Sequence, residues 1–564
     1  MRIPWGRRGA LLAACSFFIL GFAPGVSAQP EISAEFGFDH QLVRYRFAPI
    51  QVTLSGLDDP IAGHLIVQQF VGSDASTPVS VEQEIVSGRI QNGVYRGTLP
   101  AYDPILPIIV QLIDEQGNVI ASVSESVRQS ARGLPFAVVA GAPYHVDGTE
   151  AIVDPSELPA DWWAYDPVSA LWLTSPLLTR AVWVGLGAWV SAGGSLVLFS
   201  GSDFYQWDNP LARELLPFSE PSLRDGVGSA PLLVGRPRAG AQVLLTKQDL
   251  PLLVRIPYGA GYVSLVTERF RDLDEMDLRR IQPRIPTSRR LLSADALSKD
   301  LLNETPVLRP MYAFAPLVVV AVLVALLATR RRSARHARSA AILFLASIAV
   351  IAVASGLYLN RLGRMVYHYS IRTTLHISTG FGCSTVSYAF FSLEPTQITI
   401  PQEKGAFPAQ VQEVPSAKNV YAMRSEPGST AFDLPARARR FVRGCTTQGA
   451  GFRLAVDDTV RSIRVEPLEE RQLVAAMIFA DGYFHRLPLD SVGVNLRLDD
   501  LRRLGTSAMT SMETAIYSSV DRWMPSLTGT WLLTLSETGD LTRTVESPGK
   551  VRVMDVDIVE GVAE

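Results

Sequence analysis

His145 is the residue of this 564-residue chain best placed for acid–base chemistry, because Asp147 follows closely and Asp203 lies in a second loop of similar composition. A histidine hydrogen-bonded to a carboxylate takes and returns a proton near neutral pH. With the hydroxyls of Ser175 and Ser202, these residues form a candidate ligand-binding set: His145, Asp147, Ser175, Ser202 and Asp203. The competing reading is ordinary turn chemistry, since His and Asp beside Gly and Pro are what exposed loops contain. No nucleophile accompanies the set. Phe199-Ser200-Gly201-Ser202-Asp203 does not spell the G-x-S-x-G elbow of a serine hydrolase. His368, His376 and His485 are scattered without ligand spacing, so no metal, no cofactor and no catalytic residue is expected.

Bringing such loops together takes a sheet whose strands end on one edge. Pro135 to Ala140, Ser169 to Thr174 and Ser195 to Phe199 are short continuous apolar runs of the kind that become buried parallel strands. Between the last two, Leu178, Val182, Leu186 and Trp189 recur at helical spacing, and Gly193-Gly194 ends the helix where a left-handed cap is expected. Strand, helix, strand predicts a doubly wound α/β domain over 131–270, with ligands beyond the carboxyl ends of its strands. The aromatic group Trp162, Trp163 and Tyr165 either stacks on a ligand or covers the edge of a core.

Ala188-Trp189-Val190-Ser191-Ala192-Gly193-Gly194-Ser195-Leu196-Val197-Leu198 resembles the W-V-x-x-G-G-x-L segment of domains with the class I glutamine amidotransferase-like fold. Tyr258-Gly259-Ala260-Gly261-Tyr262-Val263 is similar to the strand that closes such domains. Together with the segments on either side, the chain resembles a loose group of bacterial envelope proteins. Amidotransferases attack with a cysteine activated by histidine. Between Gln29 and Gly382 this chain has no cysteine, so the resemblance implies a catalytically degenerate domain and not an enzyme.

Residues 29–130 alternate apolar and polar positions, as in Ile50-Gln51-Val52-Thr53-Leu54, with turns such as Gln91-Asn92-Gly93 between them. This predicts an antiparallel β-sandwich of immunoglobulin-like type. Arg2, Arg7 and Arg8 before the apolar run Ala10 to Phe22, and the small residues Val26-Ser27-Ala28, predict a signal peptide over 1–28, cleaved or retained as an anchor. A charged helical linker is expected over 271–309, either solvated or presenting a partner face. Residues 310–329 and 339–360 are uncharged and long enough to span a bilayer, and Arg330, Arg331, Arg332, Arg335 and Arg338 separate them.

The expected fold class is therefore a mixed multi-domain membrane protein: N-terminal antiparallel β-sandwich, doubly wound α/β domain, two-helix transmembrane hairpin, and a C-terminal β-rich exported region over 361–564. The arginines place the 330–338 loop in the cytoplasm, with both large regions on the periplasmic or extracytoplasmic side of a bacterial inner membrane. Within the last region Leu468 to Ala476 reads as a short helix. Cys383 and Cys445, the cysteines left after signal removal, are either a disulfide or two buried thiols. A net charge of −3 without a basic face outside the loop argues against nucleic acid as a partner.

The function expected from these features is a non-enzymatic membrane-anchored scaffold whose two exported lobes recognise envelope proteins or each other, with a small-molecule ligand disfavoured. Two alternatives stand beside it. Small residues in the second span suit an accessory subunit of a transport or signalling complex, and the loops around His145 suit an envelope hydrolase.

Overall fold

The computed structural model describes residues 30–287 and 366–563, less short stretches: 44–45, 72–78, 102–106, 130–134, 143–148, 176, 202–208 and 225–230 in the first part, and 378–381, 393–395, 402–409, 412–422, 427–428, 435–438, 447–450, 470, 511–512, 515, 518–528 and 538–549 in the second. Among the described residues strand dominates. Three α-helices are present among the described residues: α1 (Arg180–Ser191), α2 (Pro210–Leu215) and α3 (Glu275–Ile281).

The expected fold class is corrected on this point. A span needs about 20 helical residues to cross ~30 Å of hydrocarbon, and no helix among the described residues is long and apolar enough to cross a membrane. The transmembrane hairpin and the inner-membrane location are accordingly not carried forward. Residues 310–329 and 339–360, the five arginines between them and the 1–28 segment lie outside the described residues.

The N-terminal lobe is a sandwich because its strands bury every second residue. Glu31–Phe36 turns Ile32, Ala34 and Phe36 inward, and Phe47–Ser55 adds Ile50, Val52 and Leu54. With Gly93–Pro100 these make a three-stranded sheet. It closes on a second sheet through Leu65, Val67, Val110 and Leu112 in one core cluster. That second sheet has seven strands, and only four are N-terminal. Thr396–Pro401, Ser429–Leu434 and Met423–Glu426 come from the far end of the chain, and Met423–Glu426 pairs parallel with Val79–Ile90 at Met423↔Val81, Arg424↔Glu82 and Ser425↔Gln83.

The central lobe is a seven-stranded sheet. Ala151–Val153, Phe136–Ala140, Val168–Leu173, Ser195–Phe199 and Gly261–Val266 run parallel in that spatial order, and Leu250–Tyr258 and Gln242–Lys247 complete it antiparallel. On one face lies α1, capped by Thr179, with Trp183, Leu186 and Trp189 buried. The other face is covered by Phe270, Leu273 and Ile281. Where it is described, the charged stretch after residue 270 forms α3, which buries Asp277 and Ile281 and leaves Asp274, Glu275, Arg279 and Arg280 exposed; 288–309 lie outside the described residues.

The two glycine-rich segments of the family resemblance meet. The amide of Ala260 donates to Ser191 O at 2.8 Å and that of Tyr262 to Gly194 O at 3.0 Å. A Cβ on Gly261 would lie 2.2 Å from Gly194 O and from Val190 O. These glycines serve close backbone approach, a folding need and not a chemical one.

The C-terminal lobe has a nine-stranded sheet, with Val366–His376 at its centre between Gly382–Ser392 and Lys550–Glu560, and a smaller four-stranded sheet packed on one end. Leu468 to Ala476 is not helical. Gln472–Ala480 is a strand paired with Trp531–Glu537, because an apolar run this short satisfies either pattern until neighbouring strands claim it. The nine-stranded sheet does not stand apart: Ile371, Cys383 and Val556 share a buried cluster with Trp183 and Trp189 of α1.

Candidate functional site

Chain direction reverses in the central sheet between Phe136–Ala140 and Val168–Leu173, since the chain goes from the first to Ala151–Val153 on one side and returns on the other. Ligands of open α/β sheets bind beyond the carboxyl ends at such a point. Here those ends are Gly141 and Thr174-Ser175. The Thr174 amide and hydroxyl both donate to Ala140 O at 3.0 Å, and the Gly141 amide donates to Val153 O at 3.1 Å. Gly141 has a φ of +87°, and a Cβ there would sit 2.8 Å from Thr174 Oγ1 and 3.1 Å from Pro155 Cγ. Gly141 is therefore in close contact with Thr174 and Pro155 at these strand ends.

Of the predicted set, Ser175 is described. It is half-buried, and its hydroxyl accepts from the Leu177 amide at 3.5 Å, a local turn contact. His145, Asp147, Ser202 and Asp203 lie outside the described residues.

Farther along the same edge stands a group that no sequence pattern announced. Lys247 closes the strand Gln242–Lys247, and its ammonium donates to Glu268 Oε2 at 3.0 Å and Asp277 Oδ2 at 2.7 Å. Glu268 follows the strand Gly261–Val266, is 1% exposed, and has no partner for Oε1 among the described residues. Burial raises its carboxyl above the usual range against the pull of Lys247. Burial also works against the ammonium, but the hydrogen bonds to Asp277 and Glu268 outweigh it and hold the lysine above its ordinary value. A lysine kept charged is not a nucleophile. The arrangement instead clamps α3, whose first turn Asp274 caps through the Asp277 amide, onto the sheet edge. Lys247 is 21 residues from Glu268 and 30 from Asp277, so only folding brings them together.

Tyr165 lies between Phe38 at 5.8 Å and Trp189 at 5.4 Å, and its hydroxyl donates to Pro159 O at 2.7 Å. The aromatic group thus covers a core joint between the sandwich and the central lobe. Beside it Arg46 pairs with Asp166 at 2.7 Å, and the Phe47 amide donates to the other carboxylate oxygen.

Cys383 is a free, buried thiol. Burial pushes it up to about 12, against hydrogen bonds from Ser191 and the Leu375 backbone. Cys445 stands opposite Thr385 on the adjoining strand, which makes it a diagonal neighbour of Cys383. Among the described residues no group of three His, Cys, Asp or Glu side chains is arranged to hold a metal ion.

No family model matches the chain, and no curated protein does. Among solved structures it has a likeness to the exo-beta-1,4-mannosidase Op5Man5 from Opitutaceae bacterium strain TAV5, at 18% identity and a TM-score of 0.19, over 28% of this chain. It spans 37% of that enzyme's length. A second likeness is to the Fcho1 Mu homology domain of Danio rerio with bound Eps15 peptide, at 9% identity and a TM-score of 0.19, over 35% of this chain and 96% of that one. At these scores neither carries an argument about fold or activity.

Proposed function

We propose that this chain is a non-enzymatic interaction scaffold built around a catalytically degenerate amidotransferase-like domain. The observation that carries the reading is the interlocking of its lobes. The chain's far end supplies three of the seven strands in one sheet of the N-terminal sandwich, and the nine-stranded sheet packs against α1. Burial of apolar surface between lobes is the dominant favourable term in such an arrangement, and it yields one body with fixed outer faces.

The full chain, purified and offered a panel of ester, amide and glycoside substrates, is expected to turn over none. In cells, photo-crosslinking residues placed at the exposed positions Val119, Val184 and Leu468 are expected to give adducts at some positions and not others. Turnover that is abolished by Lys247→Met or Ser200→Ala would overturn the proposal.

A further inference from the structure

Asn92 is the one asparagine of this chain that a glycine follows. Such a pair carries its own reactivity. The backbone nitrogen of the second residue attacks the asparagine Cγ, and a glycine puts no side chain in the way. A Cγ–N bond forms and closes a succinimide ring. The Cγ–Nδ2 bond breaks, and Nδ2 leaves as ammonia with the proton that the Gly93 nitrogen gives up. Water then adds across either ring C–N bond, restoring an N–H and leaving a carboxylate, so the product is aspartate or isoaspartate.

The fold sets this pair at a corner of the N-terminal sandwich. The chain leaves Val79–Ile90 in one sheet and enters Gly93–Pro100 in the other, with Gln91 and Asn92 between them. Two side chains brace the crossing. Asn92 Oδ1 accepts from the Leu57 amide at 2.9 Å, and Asn92 Nδ2 donates to Leu57 O at 2.8 Å. The Tyr95 hydroxyl donates to Gln91 O at 2.8 Å and accepts from the Gln91 amide at 2.9 Å. Leu57 and Ile90 belong to the buried sandwich core, and Tyr95 packs against it. Gln91, Asn92 and Gly93 are themselves exposed, so water reaches the reacting atoms.

The brace works against ring closure. Attack requires the carboxamide to swing its carbon onto the Gly93 nitrogen, and both polar ends of that carboxamide are pinned to Leu57. Freeing it gives up two hydrogen bonds, so the reaction belongs to the opened corner and its rate follows the population of that state.

We propose that Asn92-Gly93 is a deamidation site gated by opening of this sandwich corner. Conversion runs one way. Once Nδ2 has left, a carboxylate oxygen faces Leu57 O where a donor stood, and isoaspartate also routes the main chain through Cβ. The brace cannot re-form as it was, so the product is a lasting record that the sandwich has opened. The assignment does not depend on the scaffold reading, since it requires neither a partner nor a substrate.

Incubation of the full chain at mildly alkaline pH, folded and in urea, followed by peptide mapping with mass spectrometry, tests it. In urea Asn92 is expected to convert ahead of every other asparagine. In the folded chain its conversion is expected to be about tenfold slower or more. Tyr95→Phe keeps the reacting pair and the Leu57 brace but removes both hydrogen bonds to Gln91. It is expected to speed conversion in the folded chain and to leave the rate in urea unchanged. Equal rates in the folded and unfolded chains, another asparagine converting ahead of Asn92 in urea, or a folded Tyr95→Phe chain no faster than the original would overturn the proposal. Should Tyr95→Phe not fold, the first two comparisons decide by themselves.

Discussion

Replacing Asp557 by Asn should change how the stability of this protein depends on pH. Asp557 lies on Lys550–Glu560 in the nine-stranded sheet, fully buried, with Oδ2 3.0 Å from an Arg471 guanidinium nitrogen. That guanidinium also reaches Asp555 at 3.2 Å and Glu469. Burial, with repulsion from Asp555, overrides the attraction of Arg471 and pushes the Asp557 carboxyl up to about 7 from 3.8. Between those values the folded chain holds a proton that the unfolded chain has released, so rising pH penalises the folded state. The contribution is whole below about pH 4, falls by roughly 1.4 kcal/mol per pH unit, and is gone above about pH 7, a total near 4 kcal/mol. Asparagine imitates the protonated carboxyl and cannot titrate. Urea unfolding of both proteins at about pH 5 and about pH 8 should therefore show their stability difference moving by about 3 kcal/mol in favour of Asp557→Asn. A difference constant to within about 0.5 kcal/mol across that range would refute the account, because it would mean that Asp557 titrates alike in both states.

Gly185→Ala should destabilise, although alanine in a helix interior ordinarily gains about 1 kcal/mol over glycine. A Cβ at residue 185 would lie 2.1 Å from Ala160 O, a backbone atom that cannot swing aside, so thermal unfolding should report a net loss of about 1–3 kcal/mol. Cys383, with its thiol held near 12, should resist alkylation in the folded protein and react fully in denaturant, as read by mass spectrometry of the labelled chain.

Much of the central lobe is legible in the residues alone. The apolar run at Ser195–Phe199 is a fully buried strand, and the spacing of Val182, Leu186 and Trp189 is the buried stripe of α1, ended by Gly193 at a φ of +122°. Gln472–Ala480 is not legible, because apolar residues in unbroken succession carry neither period. The carboxyl-edge cluster is equally silent: Lys247, Glu268 and Asp277 each look like ordinary surface charges until three separate elements converge. Thr98 and Asp161 lie 63 residues apart, in different lobes, and nothing near either one predicts the hydrogen bond between them.

By itself, then, the sequence determined the local order of this protein: the alternation that makes Glu31–Phe36 bury one face, the helical stripe of α1, and the absence of a cysteine between Gln29 and Gly382. Tertiary structure alone decided what those pieces enclose. Parallel pairing of Met423–Glu426 with Val79–Ile90 joins strands more than three hundred residues apart, and the Ser191–Cys383 contact seats the last lobe on the central one. Periodicity reports which face of an element avoids water, because that depends on near neighbours; which other face it meets depends on closing long loops, and their entropy grows too slowly with length for sequence distance to forbid any pairing.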